Sequence, residues 1–335
     1  MAEAIHVLIT GVGGDFGQAL VKALRLSKKP IKIYGCDCDV KGVGSVFVDS
    51  FHVVPTAHNP SYIDTLQNLC DTYKIDAVIP GTEIEMYTLS EIGDPPMLNG
   101  RIPVICQESE WLNKYGDKLT CMQALKGRIE LAPFADVSNS QSLDELIKET
   151  DFPIVIKLRR SSGSRFLKIV NDDKELVLAK KEADSKIAQA FIDDSEGEFS
   201  VGVFVCDGFT TAIAYERDLG PSGASWFAET SSDKSVIDYA LRIASLTGLK
   251  GSANIQVRKS SKGVRLLEIN PRFSSLVAAR AACGFIDLEW SLELALGIEP
   301  KKPDLPYKKI KFCRFLHELI DFGDGFTPIE EWSPR

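Results

Sequence analysis

The chain has 335 residues, 44% hydrophobic and 26% charged. That is the balance of an ordinary globular protein with room for two or three domains and a sizeable core. A net charge of −8 argues against general binding to nucleic acid or anionic membranes, which need basic surface. The opening MAEAIHVLITG lacks the basic start and long apolar stretch of a signal peptide, and no apolar run reaches the ~20 residues of a membrane helix. Eight scattered cysteines with no C-x-x-C pair fit reduced thiols in the cytoplasm.

Ile5 to Thr10 is a short β-branched run, as expected of a strand buried on both faces of a parallel sheet. Gly11, Gly13, Gly14 and Gly17 follow, then the helical pattern QALVKALRL. Further strands are predicted at Ile31 to Cys36, Phe51 to Val54 and Ala77 to Pro80, with a helix over Tyr62 to Tyr73. This alternation predicts a parallel sheet covered by helices. The glycine turn has two readings: a dinucleotide site with Asp37 or Asp39 on a ribose, or a tight turn allowing close packing. Its spacing is not G-x-G-x-x-G, which favours packing. Gly81, Thr82, Glu83 and Glu85 lie just past a strand end, where such sheets place small ligands; the acids also suit the first turn of a helix.

Trp111 to Leu125 reads as one helix containing Asp117-Lys118. The strand Phe152 to Lys157 leads through a basic loop, Arg159-Arg160-Ser161-Ser162-Gly163-Ser164-Arg165, to the strand Phe166 to Val170. Hydroxyls, a glycine and free amides suit a flap over polyphosphate, with Lys157 as a point charge; a solvated basic hairpin is the plain alternative. Ile187 to Ile192 and Phe199 to Cys206 are further strands, the second opened by Glu198, and Thr211 to Tyr215 is its hairpin partner. Ser222 to Trp226 reads as loop.

Ser252 to Arg258 and Val264 to Asn270 are strands joined by Ser261-Lys262-Gly263. Glu268 and Asn270 are two apart and share a face. A three-residue turn with a left-handed glycine pairs Ser260 with Val264 and sets Gln256 opposite Glu268. Three oxygen-bearing side chains then form a candidate magnesium site, with Arg272 placed to hold a phosphoryl group. Ile310 to Phe315 is one more predicted strand, ahead of a polar tail.

Gln256 with Leu267-Glu268-Ile269-Asn270-Pro271-Arg272 resembles the metal-binding stretch of ATP-grasp enzymes. The resemblance is strongest to the carbamoyl phosphate synthetase large subunit and small relatives such as the ligase of pyrrolysine synthesis, and it covers nearly the whole chain. VLITGVGGDFG, YGCDCD and AVIPGTEIE resemble the domain that precedes the grasp. The implied fold class is α/β (α+β overall). An N-terminal Rossmann-like pre-ATP-grasp domain (residues 1–107) would precede a two-lobed ATP-grasp fold, its small lobe at 108–190 and its C-terminal lobe at 191–300. A strand and tail (301–335) would follow.

The resemblance also implies roles. ATP would be held by Lys118, Lys157, the flap residues Ser161, Ser162 and Gly163, the hinge Gln189-Ala190-Phe191-Ile192, and Glu198 on the ribose. Magnesium, replaceable by manganese, would sit on Gln256, Glu268 and Asn270. Arg272 and Lys157 would act in catalysis, and Arg280 would take a substrate carboxylate. The flap has a single glycine where relatives carry several, and Lys157-Leu158 replaces their lysine-proline. The expected enzyme is a cytoplasmic ADP-forming ligase joining a small carboxylate to an amine; chains of this kind often form homodimers. A kinase on the same scaffold and an NAD(P)-binding protein are the competing readings.

Overall fold

The computed structural model describes residues 3–40, 43–160, 166–181, 185–193, 195–220, 223–315, 318–321 and 326–328. The first sheet comprises β1 (Ile5–Ile9), β2 (Ile31–Asp37), β3 (Ser50–Val53) and β4 (Ala77–Ile79), parallel in the order β3-β2-β1-β4. Side chains alternate across its faces, and both faces are covered, as unbroken apolar runs require. Val7, Ile9, Ile33 and Ile79 pack with α1 (Asp15–Arg25); Leu8, Tyr34, Cys36 and Val78 pack with α2 (Tyr62–Tyr73). The helix α3 (Glu83–Ser90) begins just past β4, capped by the Thr82 hydroxyl.

A short ribbon, β5 (Met97–Leu98) and β6 (Ile102–Pro103), leads on to α4 (Ser109–Tyr115) and α5 (Lys118–Leu125). The single helix expected over Trp111 to Leu125 is therefore broken at Gly116-Asp117. Asp117 is extended (φ −88°, ψ 116°) and its carboxylate accepts from the Leu119 and Thr120 amides, starting a new helix with Lys118 as its first residue.

The second sheet is antiparallel and has the order β7-β10-β8-β9, from β7 (Phe134–Asp136), β8 (Ile154–Leu158), β9 (Leu167–Val170) and β10 (Lys186–Ala190). The helices α6 (Ser140–Thr150) and α7 (Asp173–Lys181) bury Leu143, Leu146 and Leu176 against it.

The third sheet is built from β11 (Glu198–Val205), β12 (Thr210–Leu219), β13 (Ser225–Ser231), β14 (Gly251–Ser260), β15 (Gly263–Asn270) and β16 (Lys311–Cys313), in the order β15-β14-β11-β12-β13-β16. One face carries Phe199, Val201, Val203, Ile255 and Val257 against α8 (Lys234–Thr247) and α5. The other meets α9 (Val277–Cys283) and α10 (Asp287–Ala295) through Phe204, Tyr215, Leu276 and Trp290. A final ribbon pairs β17 (Leu319–Asp321) with β18 (Phe326–Pro328). The segment read as loop at 222–226 enters β13 at Ser225, and the strand expected over Ile310 to Phe315 shortens to β16. No helix among the described residues is long and apolar enough to cross a membrane. All eight cysteines are free thiols, four of them buried.

Candidate functional site

The hairpin β14–β15 places Gln256 opposite Glu268 and Asn254 opposite Asn270, but not by the turn expected. Ser260 pairs with Gly263 across Ser261-Lys262, a two-residue connection, with Gly263 at φ +90°. The missing residue is recovered inside the strand, where the register shifts after Gln256 and Leu267 becomes the extra residue of a bulge. Because β15 is the sheet edge, the bulge presents carbonyls outward. Lys157 Nζ donates to Leu267 O at 2.8 Å and Gln189 Nε2 to Leu266 O at 3.1 Å, while Lys157 Nζ also donates to Gln189 Oε1 at 3.0 Å. The second and third sheets are thus pinned together at one point.

A cavity of about 620 Å³ opens around that point. Its walls include Lys118, Lys157, Gln189, Ala190, Phe191, Ile192, Glu198, Gln256, Glu268 and Arg272. Apolar side chains of the two lobes, Val155, Leu167, Ile169 and Leu267, line one part; Gly14 to Phe16 and Gly81 to Glu83, at the strand ends of the first sheet, line another. Lys118 Nζ lies 3.0 Å from Glu268 Oε2, and Asn270 Nδ2 donates to Glu268 Oε1 at 3.0 Å. Burial alone raises the Glu268 carboxyl, but Lys118 and Lys157 outweigh it and hold its pKa at about 2. Burial pushes the Lys157 ammonium down to about 8, against the pull of Glu268.

Glu198 is gripped from two sides. Arg217 Nη2 donates to its Oε1 and Arg258 Nε to its Oε2, both at 2.8 Å. The same Arg217 nitrogen donates to Gln256 Oε1 at 2.8 Å. Sequence reading missed Arg217, Arg258 and the cavity-lining Asn254 and Ser200. Their only sequence signal is polarity at alternate positions of apolar strands, and it is the cross-strand register that turns that signal into a cluster.

Other expectations divide. Arg272 reaches the cavity, with Nε 3.1 Å from Glu83 Oε1 and its guanidinium over the Phe16 ring at 4.8 Å. Glu83 faces this space, whereas Glu85 is turned into the core, accepting from Tyr62 and Thr82 hydroxyls. Asn270 is buried behind Glu268 and is not part of the cavity wall. Arg280 is a correction. Neither a surface charge nor a cavity residue, it is 1% exposed, 3.1 Å from the fully buried Asp287, because α9 packs that side chain against the sheet. Ser161, Ser162 and Gly163 lie outside the described residues. Apart from Gly14, which borders the cavity, the glycine turn is taken up by packing. Gly13 N–H donates to Asp37, Val12 N–H to Cys36 O, and a side chain at Gly17 would come within 2.2 Å of Gly11 O.

A divalent cation can be tested against this donor set. No group of three His, Cys, Asp or Glu suited to a metal occurs among the described residues. Glu268 offers a carboxylate at the cavity wall, and magnesium takes one such ligand alongside phosphates, so this residue fits such an ion, while Asn270 behind it orients the carboxylate through Nδ2. Gln256 also lines the cavity, but its one carbonyl oxygen is neutral and accepts from Arg217, whereas Glu268 brings a full negative charge and two oxygens, held by Lys118 and Asn270.

Residues 7–103 match the family model described as "PylC-like, N-terminal domain", and residues 189–313 that of "ATP-grasp in the biosynthetic pathway with Ter operon". Among curated proteins the chain is 24% identical over 289 residues to the carbamoyl phosphate synthase arginine-specific large chain of Geobacillus stearothermophilus, covering 76% of this chain and 27% of that one. It therefore spans about a quarter of that relative's length. It is also 24% identical over 297 residues to the formate-dependent phosphoribosylglycinamide formyltransferase of Maridesulfovibrio salexigens, covering 81% and 70% of the two chains. Among solved structures, N5-carboxyaminoimidazole synthetase from Staphylococcus aureus complexed with ADP aligns with a TM-score of 0.73 at 16% identity, covering 93% and 82%. The chain thus shares the fold of that structure, and its two matched segments make it similar to ATP-grasp proteins over residues 189–313 and to PylC-like N-terminal domains over residues 7–103.

Proposed function

We propose that the chain is an ATP- and magnesium-dependent ligase that activates a small carboxylate as an acyl phosphate and passes it to an amine, releasing ADP and phosphate. The observation that carries this reading is the meeting of Lys118, Lys157 and Glu268 in one cavity that runs from an apolar wall to the strand ends of the first sheet. The apolar wall of Val155, Leu167, Ile169, Ile192 and Leu267 accommodates a purine, and the strand ends accommodate the substrates, as expected at the carboxyl edge of a parallel sheet. The two matched segments and the named relatives support the same class.

In this mechanism Lys118 and Lys157 offset negative charge on the polyphosphate, and Arg272 steadies the transferring phosphoryl group from the substrate side. Glu268, oriented by Asn270, would hold magnesium, which when bound would supply Lewis-acid charge stabilisation to phosphate oxygens. Lys157 leaves Gln189 and the bulge carbonyl when it engages phosphate, so nucleotide binding loosens the pin between the lobes. Closing the cavity over the reacting groups keeps water from the acyl phosphate. We keep the division at about residues 107, 190 and 300 as part of this proposal, with the enzyme cytoplasmic and its partners small molecules.

The test is product analysis. Purified protein is given ATP, magnesium and a matrix of carboxylates and amines, and ADP and new amides are followed by mass spectrometry. The ligase reading requires ADP release that depends on both partners together with an amide. A stable phosphorylated product formed without the amine would replace the ligase by a kinase.

A further inference from the structure

The two lysines that meet at Glu268 come from different parts of the chain, and a contact behind them ties their carriers together. Lys118 is the first residue of α5, and Lys157 sits in β8. Asp117 immediately precedes the first lysine, and Arg159 follows the second by two residues. Arg159 Nε donates to Oδ1 and Oδ2 of Asp117, both at 3.1 Å, and its Nη2 lies 3.0 Å from Oδ2. In return the Lys118 amide donates to Arg159 O at 3.0 Å. The Arg159 amide donates to Ser185 O at 3.0 Å, just ahead of β10, which keeps Arg159 in line with the second sheet.

The chemistry of this bracket is specific. The Asp117 side chain is 6% exposed and also accepts from the Leu119 and Thr120 amides, so one buried carboxylate both starts α5 and receives the guanidinium fork. Burial raises the carboxyl, but Arg159 and these amides outweigh it and hold it below the usual carboxylate range. Arg160 also faces Asp117, but at 3.6 Å and from an exposed position, with its Nη2 on Asn113 and its guanidinium over the Tyr87 ring. Neither Asp117 nor Arg159 lines the cavity. Drawing Arg159 away to a phosphate would strand a buried carboxylate, which is costly. The sequence pattern places Arg159 in a basic loop suited to polyphosphate; the structure turns it to the scaffold behind the lysines. That scaffold has a load to carry. Lys118 is among the groups that, after burial, lower the Lys157 ammonium, so the two lysines converging on Glu268 repel each other and their spacing has to be set from behind.

We propose, on the basis of the nucleotide-binding reading above, that Asp117 and Arg159 are positioning residues: together they set the separation of Lys118 and Lys157, and so the affinity for polyphosphate. Arg159 acts through Lys118 and is not itself a phosphate ligand.

The test is a double-mutant cycle on nucleotide affinity. Binding of β,γ-imido-ATP with magnesium is measured by calorimetry, beside a urea unfolding curve for each variant. Arg159→Met should weaken binding about tenfold in the otherwise wild-type chain, but by no more than about twofold in Lys118→Met, because its effect passes through that lysine. Asp117→Asn keeps a cap on α5 and loses the ionic fork, so it should weaken binding about threefold, again only while Lys118 is present. If Arg159→Met does not fold, Asp117→Asn carries the same cycle. Additive losses in the double variant would make Arg159 a phosphate ligand in its own right and overturn the proposal. An unfolding midpoint that drops while the affinity of the folded protein holds would reduce the pair to a stabilising contact, and overturns it equally. Either result leaves the ATP reading standing. A wild type that binds no nucleotide overturns that reading, and this inference with it.

Discussion

Two buried ion pairs in this molecule are built from similar parts and do opposite things. Arg280 and Asp287 lie 3.1 Å apart between the third sheet and its covering helices, 1% and 0% exposed. Lys118 and Glu268 lie 3.0 Å apart at the cavity, 7% and 19% exposed. At Asp287 burial dominates and raises the carboxyl despite the arginine and the Ser252 hydroxyl that donates to it. At Glu268 two lysines outweigh burial and hold it ionised. The lesson is that burial and pairing alone do not mark a site. The first pair is closed off and holds elements together; the second borders open space with a surplus of cations ready for an anionic ligand.

That contrast can be broken experimentally. Arg280→Ala leaves Asp287 buried without its counter-charge and should cost about 3–5 kcal/mol of stability. Urea unfolding measures it, and nucleotide affinity of the folded fraction should stay unchanged. A small stability loss accompanied by lost substrate binding would return Arg280 to the site.

Glu268→Gln should behave in reverse. Turnover should fall roughly 10²–10³-fold, with a smaller stability loss than Arg280→Ala; ADP release beside an unfolding curve separates the two. Near-wild-type ADP release would remove Glu268 from the catalytic centre.

A subtler effect comes from Lys157. Its pKa of about 8 means that it is charged below that pH and neutral above it. Since the ammonium binds phosphate, nucleotide affinity should fall as pH rises through about 8, with proton uptake on binding above that value. Arginine stays charged, so Lys157→Arg should flatten this limb. For stability the sign is opposite. The folded chain binds this proton less tightly than the unfolded chain, so Lys157 adds stability as pH rises from about 8 toward the ordinary lysine value. A wild-type affinity that is flat from pH 7 to 9 would mean that Lys157 does not meet the ligand.

The smallest expected effect lies far from both pairs. Asn139 caps α6, accepting from Ser142 N–H at 3.0 Å, so Asn139→Ala should cost about 1 kcal/mol and leave nucleotide affinity alone. Thermal unfolding and titration of the same sample check both halves.

Much of this was legible in the residues. Short β-branched runs announce the first sheet, the helix expected over Tyr62 to Tyr73 has those bounds, and Glu268 stands out as charge in an apolar strand with Arg272 just past its end. What was hidden depends on pairing between distant segments. The opposition of Gln256 and Glu268 was expected from a three-residue turn; it arises from a two-residue connection and a bulge at Leu267, which no local pattern marks. Glu198 could be noticed, but Arg217 and Arg258 join it only through strand neighbours. The strand β13 escaped because its burial does not simply alternate along Ser225 to Ser231. Arg280 was misplaced because a helix face is assigned by what packs on it, and its partner Asp287 lies on the next helix.

The most direct test of the account is calorimetric titration of ATP with magnesium into the wild type and into Lys157→Ala, beside NAD and NADP. The account predicts magnesium-dependent ATP binding of micromolar order in the wild type, weakened at least tenfold by the substitution, and no dinucleotide binding. Absence of ATP binding with tight dinucleotide binding would contradict it, placing the ligand at the Gly11 to Gly17 turn instead.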